Sequence, residues 1–287
     1  MKKGICLTAI YPEAMYNCSL LLGLLERTAQ EKIFDCVEFY FQGTREEEYE
    51  IRSQLEKLKL SAVFHGGFPM KRDRIDISAK EEGERLKSVE ICSALYESAC
   101  RMGADKMLIL SGPSWNVRDE EGLIRQTRKS LMELAGKIKD GSPSLTLEYF
   151  NDQGEPWLAV GDILLVRKIF EGMDLPRVEI TFDTSHTIQM NRDILKSFRI
   201  LRPWIRHLHL ANSVSMDPDS QLFGDKHPLF DAKGGDFSLA EIKRLYSILK
   251  EENLLENVEI CSMEIISRGS EESYYRETCK QAENIWN

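Results

Sequence analysis

Eight short apolar runs recur along the chain, and each is followed by a stretch whose apolar residues repeat at helical spacing. The runs are GICLTAI (4–10), CVEFYF (36–41), SAVFHG (61–66), DKMLILS (105–111), SLTLEYF (144–150), RVEITFD (177–183), IRHLHLA (205–211) and VEICSMEI (258–265). Between them lie amphipathic segments such as SLLLGLLERTAQ, EEEYEIRSQLEKLK, ERLKSVEICSALYESACRMG, LIRQTRKSLMELAGKIK, ILLVRKIFEG and LAEIKRLYSILKEE. Eight strands, each with its helix, are what a closed (β/α)8 barrel requires, whereas an open doubly wound sheet would leave several runs unexplained. No repeat, low-complexity segment or linker divides the sequence, so the expectation is an α/β chain forming one TIM barrel domain over residues 1–287. Gly103 and Gly172 stand where helix C-caps are needed, and Ser238 with Glu241 forms a capping-box pattern before the last run. The longest irregular stretch, residues 212–237, follows the seventh run, and a loop of that length in a compact domain is usually functional.

Charge narrows the partners. The net charge of -9 and pI near 5.3 disfavour a nucleic-acid backbone or an anionic membrane, both of which need clustered Lys and Arg. No apolar run reaches the ~18 residues of a membrane span, and MKKGICLTAIYPEA lacks the apolar core of a secretion signal. Seven cysteines, without CxxC spacing, read as reduced thiols in a cytoplasmic protein, with Cys6, Cys36 and Cys261 acting as small hydrophobes inside strands.

The polar residues inside the apolar runs carry the functional signal. Side chains of a barrel strand alternate between the interior and the helix layer, and chemistry in such barrels sits at the C-terminal mouth. Glu148 ends run five in phase with Thr146, Asp183 ends run six, His207 and His209 share one face of run seven, and Glu264 ends run eight in phase with Ser262. The five histidines, His65, His186, His207, His209 and His227, all lie at strand ends or in the long loop, with none expected on a helix. Taken singly, a Glu at a strand end caps a helix or pairs with Lys. Together, three carboxylates and an imidazole at one mouth repel and desolvate one another unless a cation neutralises them. A divalent ion held by two Glu, one Asp and one His resolves that conflict, and the mixed oxygen–nitrogen set suits Mn²⁺, Mg²⁺, Co²⁺ or Zn²⁺.

The segments LTLEYFN, TFDTSHT, HLHLANS and CSMEI, in order on strands five to eight, resemble the xylose-isomerase-like barrels, a superfamily of sugar isomerases and epimerases that includes AP-endonuclease-type enzymes. The resemblance implies one metal ion, Mn²⁺ first, on Glu148, Asp183, His209 and Glu264, with His186 touching substrate. The stretch GDKHPLFDAKGGDFSL resembles a subgroup similar to C-glycoside deglycosidase large subunits, which implies substrate or supporting contacts from Asp225 and His227. Two features depart from family patterns, one from the sugar epimerases and one from the AP-endonuclease-type enzymes. The Arg found soon after the strand-seven His in several of them is absent from HLHLANSVSMDPDS, with Lys226 and Arg206 as cationic substitutes and Arg206 expected to point outward. An AP-endonuclease-type His after strand four is replaced in LILSGPSW, near Ser111 and Ser114. Glu155-Pro156-Trp157-Leu158 is expected to shape the pocket without chemistry.

The activity implied is metal-dependent isomerisation or epimerisation of a small carbohydrate through an enediolate, with Glu148 and Glu264 exchanging the proton, His186 bonding the reacting oxygen and His65 another hydroxyl. The alternatives are a lyase acting on 3-keto-glycosides or a dehydratase, an AP-endonuclease-like phosphodiesterase, and a sugar-binding barrel without turnover. The expected partner is a small carbohydrate rather than nucleic acid or membrane, in a homo-oligomer or with a small partner subunit.

Overall fold

A computed structural model describes residues 1–112, 119–150, 162–190 and 192–287. Eight parallel strands close on themselves in chain order: β1 (Lys2–Cys6), β2 (Cys36–Phe39), β3 (Ser61–His65), β4 (Lys106–Leu110), β5 (Ser144–Glu148), β6 (Val178–Asp183), β7 (Ile205–Leu210) and β8 (Ile260–Met263). The main outer helices are α2 (Cys18–Glu31), α3 (Arg45–Leu58), α5 (Glu82–Arg101), α6 (Glu120–Ala135), α7 (Ile163–Phe170), α9 (Ile194–Leu201), α10 (Leu239–Glu251) and α11 (Glu271–Trp286). Three shorter helices follow strands β1, β3 and β6 directly: α1 (Leu7–Ile10), α4 (Gly67–Asp73) and α8 (Thr184–Gln189). This is the (β/α)8 TIM barrel that the eight runs predict. Among the described residues no helix is long and apolar enough to cross a membrane, and all seven cysteines are unpaired.

Local signals explain most boundaries. The Ser238–Glu241 capping box is formed in both directions, and Gly103 and Gly172 follow their helices with φ of +71° and +77°, where a side chain would be strained. The first run departs from expectation. GICLTAI is strand only as far as Cys6, and Leu7–Ile10 turns into helix, because a short apolar run is compatible with either state and packing decides.

The apolar core lies between barrel and helices, where Val37, Met107, Ile109, Leu145, Leu147, Ile180, Phe182 and Leu208 are buried. The barrel interior is unusually polar. Beside inward Val63, Leu108 and Ile260, residues of that phase include Lys106, Ser144 and Glu179 near the bottom, Thr146, Thr181, His207 and Glu38 in the middle, and His65, Glu148, Asp183, His209 and Glu264 at the mouth. Barrel interiors are ordinarily packed with branched aliphatic side chains, so this stack of polar layers needs its own account.

Candidate active site

Each of the last four strands delivers one donor side chain. Register places Asp183 beside His209 and His209 beside Ser262, and Glu264 extends the β8 ladder by one residue, its amide donating to the Leu210 carbonyl at 3.2 Å. Glu148, Asp183, His209 and Glu264 each turn a ligand atom into one cluster whose members lie within 4.8 Å of one another, all buried. His209 Nδ1 is the hub. It lies 3.1 Å from Glu148 Oε1, 2.9 Å from Glu264 Oε2 and 3.6 Å from Asp183 Oδ2.

The opposite nitrogen of that imidazole is held by a residue absent from the sequence reading. Glu38, in the middle of β2, accepts from His209 Nε2 at 3.2 Å through one carboxylate oxygen and pairs with His207 Nε2 at 2.8 Å through the other. His207 Nδ1 meets Thr181 Oγ1 at 3.0 Å, which meets Thr146 Oγ1 at 2.8 Å. The polar middle of the barrel is thus a hydrogen-bonded support that fixes the His209 ring and leaves Nδ1 facing the carboxylates. Burial alone would push the Glu38 carboxyl up, yet the His207 and His209 imidazoles outweigh it and hold the group well below the usual glutamate range. The sequence signal was a single Glu of inward phase in CVEFYF.

The two oxygens of Asp183 are placed differently. Its Oδ1 accepts from the Ser185 amide at 2.6 Å and the His186 amide at 3.0 Å, capping α8. Strand six therefore opens into a short helix rather than a loop, and His186 lies on it, contrary to the expectation that no histidine would be helical. The second oxygen, Oδ2, is buried without a hydrogen-bond partner among the described residues, as are Glu264 Oε2, His65 Nδ1 and both ring nitrogens of His186. Native interiors seldom leave such atoms unmatched. Two buried carboxylates with free oxygens around an imidazole nitrogen fit a divalent cation, and the oxygen-rich donor set fits a hard one.

The two glutamates are pushed in opposite directions. Burial raises the Glu148 carboxyl, whereas at Glu264 the His209 and His227 imidazoles outweigh burial and hold it well below its ordinary value. Burial disfavours the charged form of His209, but Glu264 and Glu38 override it and raise the imidazole well above its ordinary value.

The remaining expected residues surround this centre. His65 ends β3 and pairs with Glu264 Oε1 at 3.3 Å. Gly67 makes room for it, since a Cβ there would lie 3.0 Å from the His65 ring, and Gly66 lets the turn pass close to β4, where a Cβ would lie 2.7 Å from the Leu108 carbonyl oxygen. His186 Nε2 is 4.0 Å from Glu148 Oε1. His227 Nδ1 lies 3.2 Å from Glu264 Oε2 and its Nε2 2.9 Å from Asp225 Oδ1. His227 adopts φ of +36°, a conformation that non-glycine residues hold only under constraint, so the long loop is shaped to present that ring. Cys6, expected as a strand hydrophobe, faces the mouth with its sulfur in reach of His65 and Glu264, and burial pushes its thiol up, keeping it neutral. Arg206 bonds the Pro203 and Ile205 carbonyls, away from the mouth as expected. Ser111 is buried beside β4, whereas Ser114 and Glu155–Leu158 lie outside the described residues.

A closed (β/α)8 barrel whose mouth gathers carboxylates and imidazoles around a candidate cation centre defines the class. The chain belongs to the xylose isomerase-like TIM barrel family, whose model matches residues 27–284. Among solved structures it is similar to a D-tagatose 3-epimerase-like protein, with 16% identity over 99% of this chain and 98% of that one at a TM-score of 0.73. It is also similar to 3-keto-D-glucoside 4-epimerase YcjR from E. coli, with 16% identity, 99% of each chain and a TM-score of 0.71. A third is the probable 3-DHS dehydratase AsbF from Bacillus anthracis, with 17% identity, 100% and 99% coverage and a TM-score of 0.68. At these identities the likeness is one of fold. No curated protein sequence matches the chain.

Proposed function

We propose that the chain is a divalent-metal-dependent isomerase or epimerase of a small sugar, removing and returning a proton on the carbon beside a carbonyl. The observation that carries this reading is the gathering of Glu148, Asp183, His209 and Glu264 within 4.8 Å, with free oxygens on Asp183 and Glu264. These residues would hold the ion, Mn²⁺ being our first choice. Such an ion supplies a Lewis acid for the carbonyl and charge balance for the enediolate that proton removal creates.

The protein groups do the rest. Glu148 and Glu264, both beside His209 Nδ1, flank the carbon framework, one taking the proton and the other returning it. His186 brings two unpartnered ring nitrogens to within 4.0 Å of Glu148 and donates to the reacting oxygen, and His65 anchors a further hydroxyl. Epimerase and dehydratase names among the structural neighbours agree with chemistry that begins by removing this proton.

The test is deuterium exchange from D₂O into a panel of ketoses and 3-keto-glycosides by the Mn²⁺-loaded chain. Exchange with the carbon skeleton intact is the expected outcome. Loss of an aglycone or of water would replace isomerisation by elimination from the same carbanion, and absence of exchange on every ligand would overturn both.

A further inference from the structure

Beyond the candidate metal centre, a line of polar groups runs outward along one side of the mouth. It starts at Glu148 and passes to His186, whose Nε2 is 4.0 Å away and whose two nitrogens have no partner among the described residues. The His186 and His227 rings lie 5.3 Å apart, His227 Nε2 is 2.9 Å from Asp225 Oδ1, and Asp225 Oδ2 is 2.6 Å from Lys71 Nζ. Lys71 comes from α4, the short helix that the Gly66–Gly67 turn launches at the end of β3, and Asp225 comes from the long loop after β7. Phe150 ties the line together, its ring centroid lying 3.9 Å from that of His186 and 5.5 Å from Lys71 Nζ.

Exposure gives the line a direction. The His186 side chain is sealed, those of Asp225 and His227 are nearly so, and that of Lys71 is 30% exposed, so Lys71 is the most open of the four. A Lys paired with a buried Asp is a donor and an acceptor side by side, the arrangement that two neighbouring hydroxyls satisfy. Formal charge points the same way. Within the line Lys71 is the one Lys or Arg, and it is already paired with Asp225, so no cluster of cations is there for a phosphate dianion.

We propose that Lys71 and Asp225 form a distal subsite that reads hydroxyls of an unphosphorylated sugar several carbons beyond the reacting carbonyl. Lys71 is then a substrate-binding residue, and Phe150 positions it together with His186. This rests on the proposed sugar chemistry and adds to it the ligand's length and lack of phosphate. A ligand that stops short of the pair, such as a ketotetrose, gains nothing from it.

The experiment measures a ketohexose, its 6-phosphate and a ketotetrose, each by calorimetric binding and by deuterium exchange, on the Mn²⁺-loaded chain and its Lys71→Met and Lys71→Arg variants. Lys71→Met keeps the alkyl stem, and its melting temperature controls for folding. The expected result is a KM and Kd for the ketohexose raised tenfold or more in Lys71→Met, mostly restored in Lys71→Arg, with a much smaller change for the ketotetrose. Equal losses on the long and short ligands would make Lys71 a structural residue and overturn the subsite, as would preference for the 6-phosphate. Binding without exchange would sink the isomerase reading alone, because the affinity ratios still decide the subsite; no binding at all would sink both.

Discussion

At the bottom of the barrel Lys106, 2% exposed, reaches Glu179 at 2.5 Å and Glu259 at 2.7 Å, with Ser144 at 3.2 Å. At the mouth Glu148, Asp183 and Glu264 meet around His209, and among the described residues no Lys or Arg is paired with any of the three. The same sheet therefore buries charge at both ends but, among the described residues, sets a Lys against its carboxylates at one only. Two carboxylates about 4 Å apart repel by about 4 kcal/mol at the effective dielectric of a protein site, so the mouth carries a standing electrostatic cost that the bottom does not. A protein retains such a cost where function needs it, and here the deficit is in positive charge.

The largest expected effects come from altering each end separately. Asp183→Asn should abolish stoichiometric Mn²⁺ binding in equilibrium dialysis and lower exchange activity by a factor of about 10³ or more, while the metal-free chain unfolds in urea no earlier than wild type, since a repelling charge is gone. Lys106→Met should do the reverse. Removal of the ammonium leaves Glu179 facing Glu259 and lowers stability by about 3 kcal/mol in urea unfolding, with Mn²⁺ stoichiometry intact. If Asp183→Asn destabilises as strongly as Lys106→Met, the two ends are both structural and the contrast fails.

Loading the metal-free chain with Mn²⁺ comes next in size. An ion that binds only the folded state stabilises it by about 2.7 kcal/mol at a hundred times Kd, so the urea midpoint should climb with Mn²⁺ concentration. Lys106→Met should show the same increment and Asp183→Asn none. A midpoint that ignores the ion in wild type would leave the crowded mouth unexplained.

How far the sequence reaches differs between the strand residues and the rest. Glu148, Asp183, His209 and Glu264 were legible because strand alternation has a fixed period, and a polar residue at the last inward position has one place to go. The same rule applied to Glu38, but a single Glu within CVEFYF matches an ordinary paired side chain until the partners are seen, and those partners are 169 and 171 residues away in sequence. Lys71 was illegible for another reason: its placement depends on how α4 leaves the tight glycine turn, which no periodicity encodes. His186 was expected at a strand end and not on a helix, and only the Asp183 cap, a tertiary choice of rotamer, shows why a helix starts there.

Glu38→Gln tests whether the middle layer serves the mouth. The amide keeps the volume but cannot accept from both His207 and His209, so His209 should lose orientation and Mn²⁺ affinity should fall about 10–100-fold, read by competition dialysis, with stoichiometry unchanged. An unchanged affinity would mean that the network only fills the barrel.

The smallest effect is a difference in acid response between the middle network that supports the mouth and the bottom of the barrel. The imidazoles hold folded Glu38 below its unfolded value, so its contribution to stability is complete above about pH 4.3 and is lost as pH falls through the lower folded value. At the other end burial outweighs Lys106 and raises Glu179, so the folded state binds that proton more readily and gains relative stability as pH falls through the raised value. Between pH 6 and 3 the metal-free melting temperature of Glu38→Gln should therefore fall less than that of wild type, and that of Glu179→Gln should fall more. Parallel curves for the two variants would show that Glu38 and Glu179 feel the same field, and the distinction between a bottom paired by Lys106 and an ion-seeking mouth would not survive.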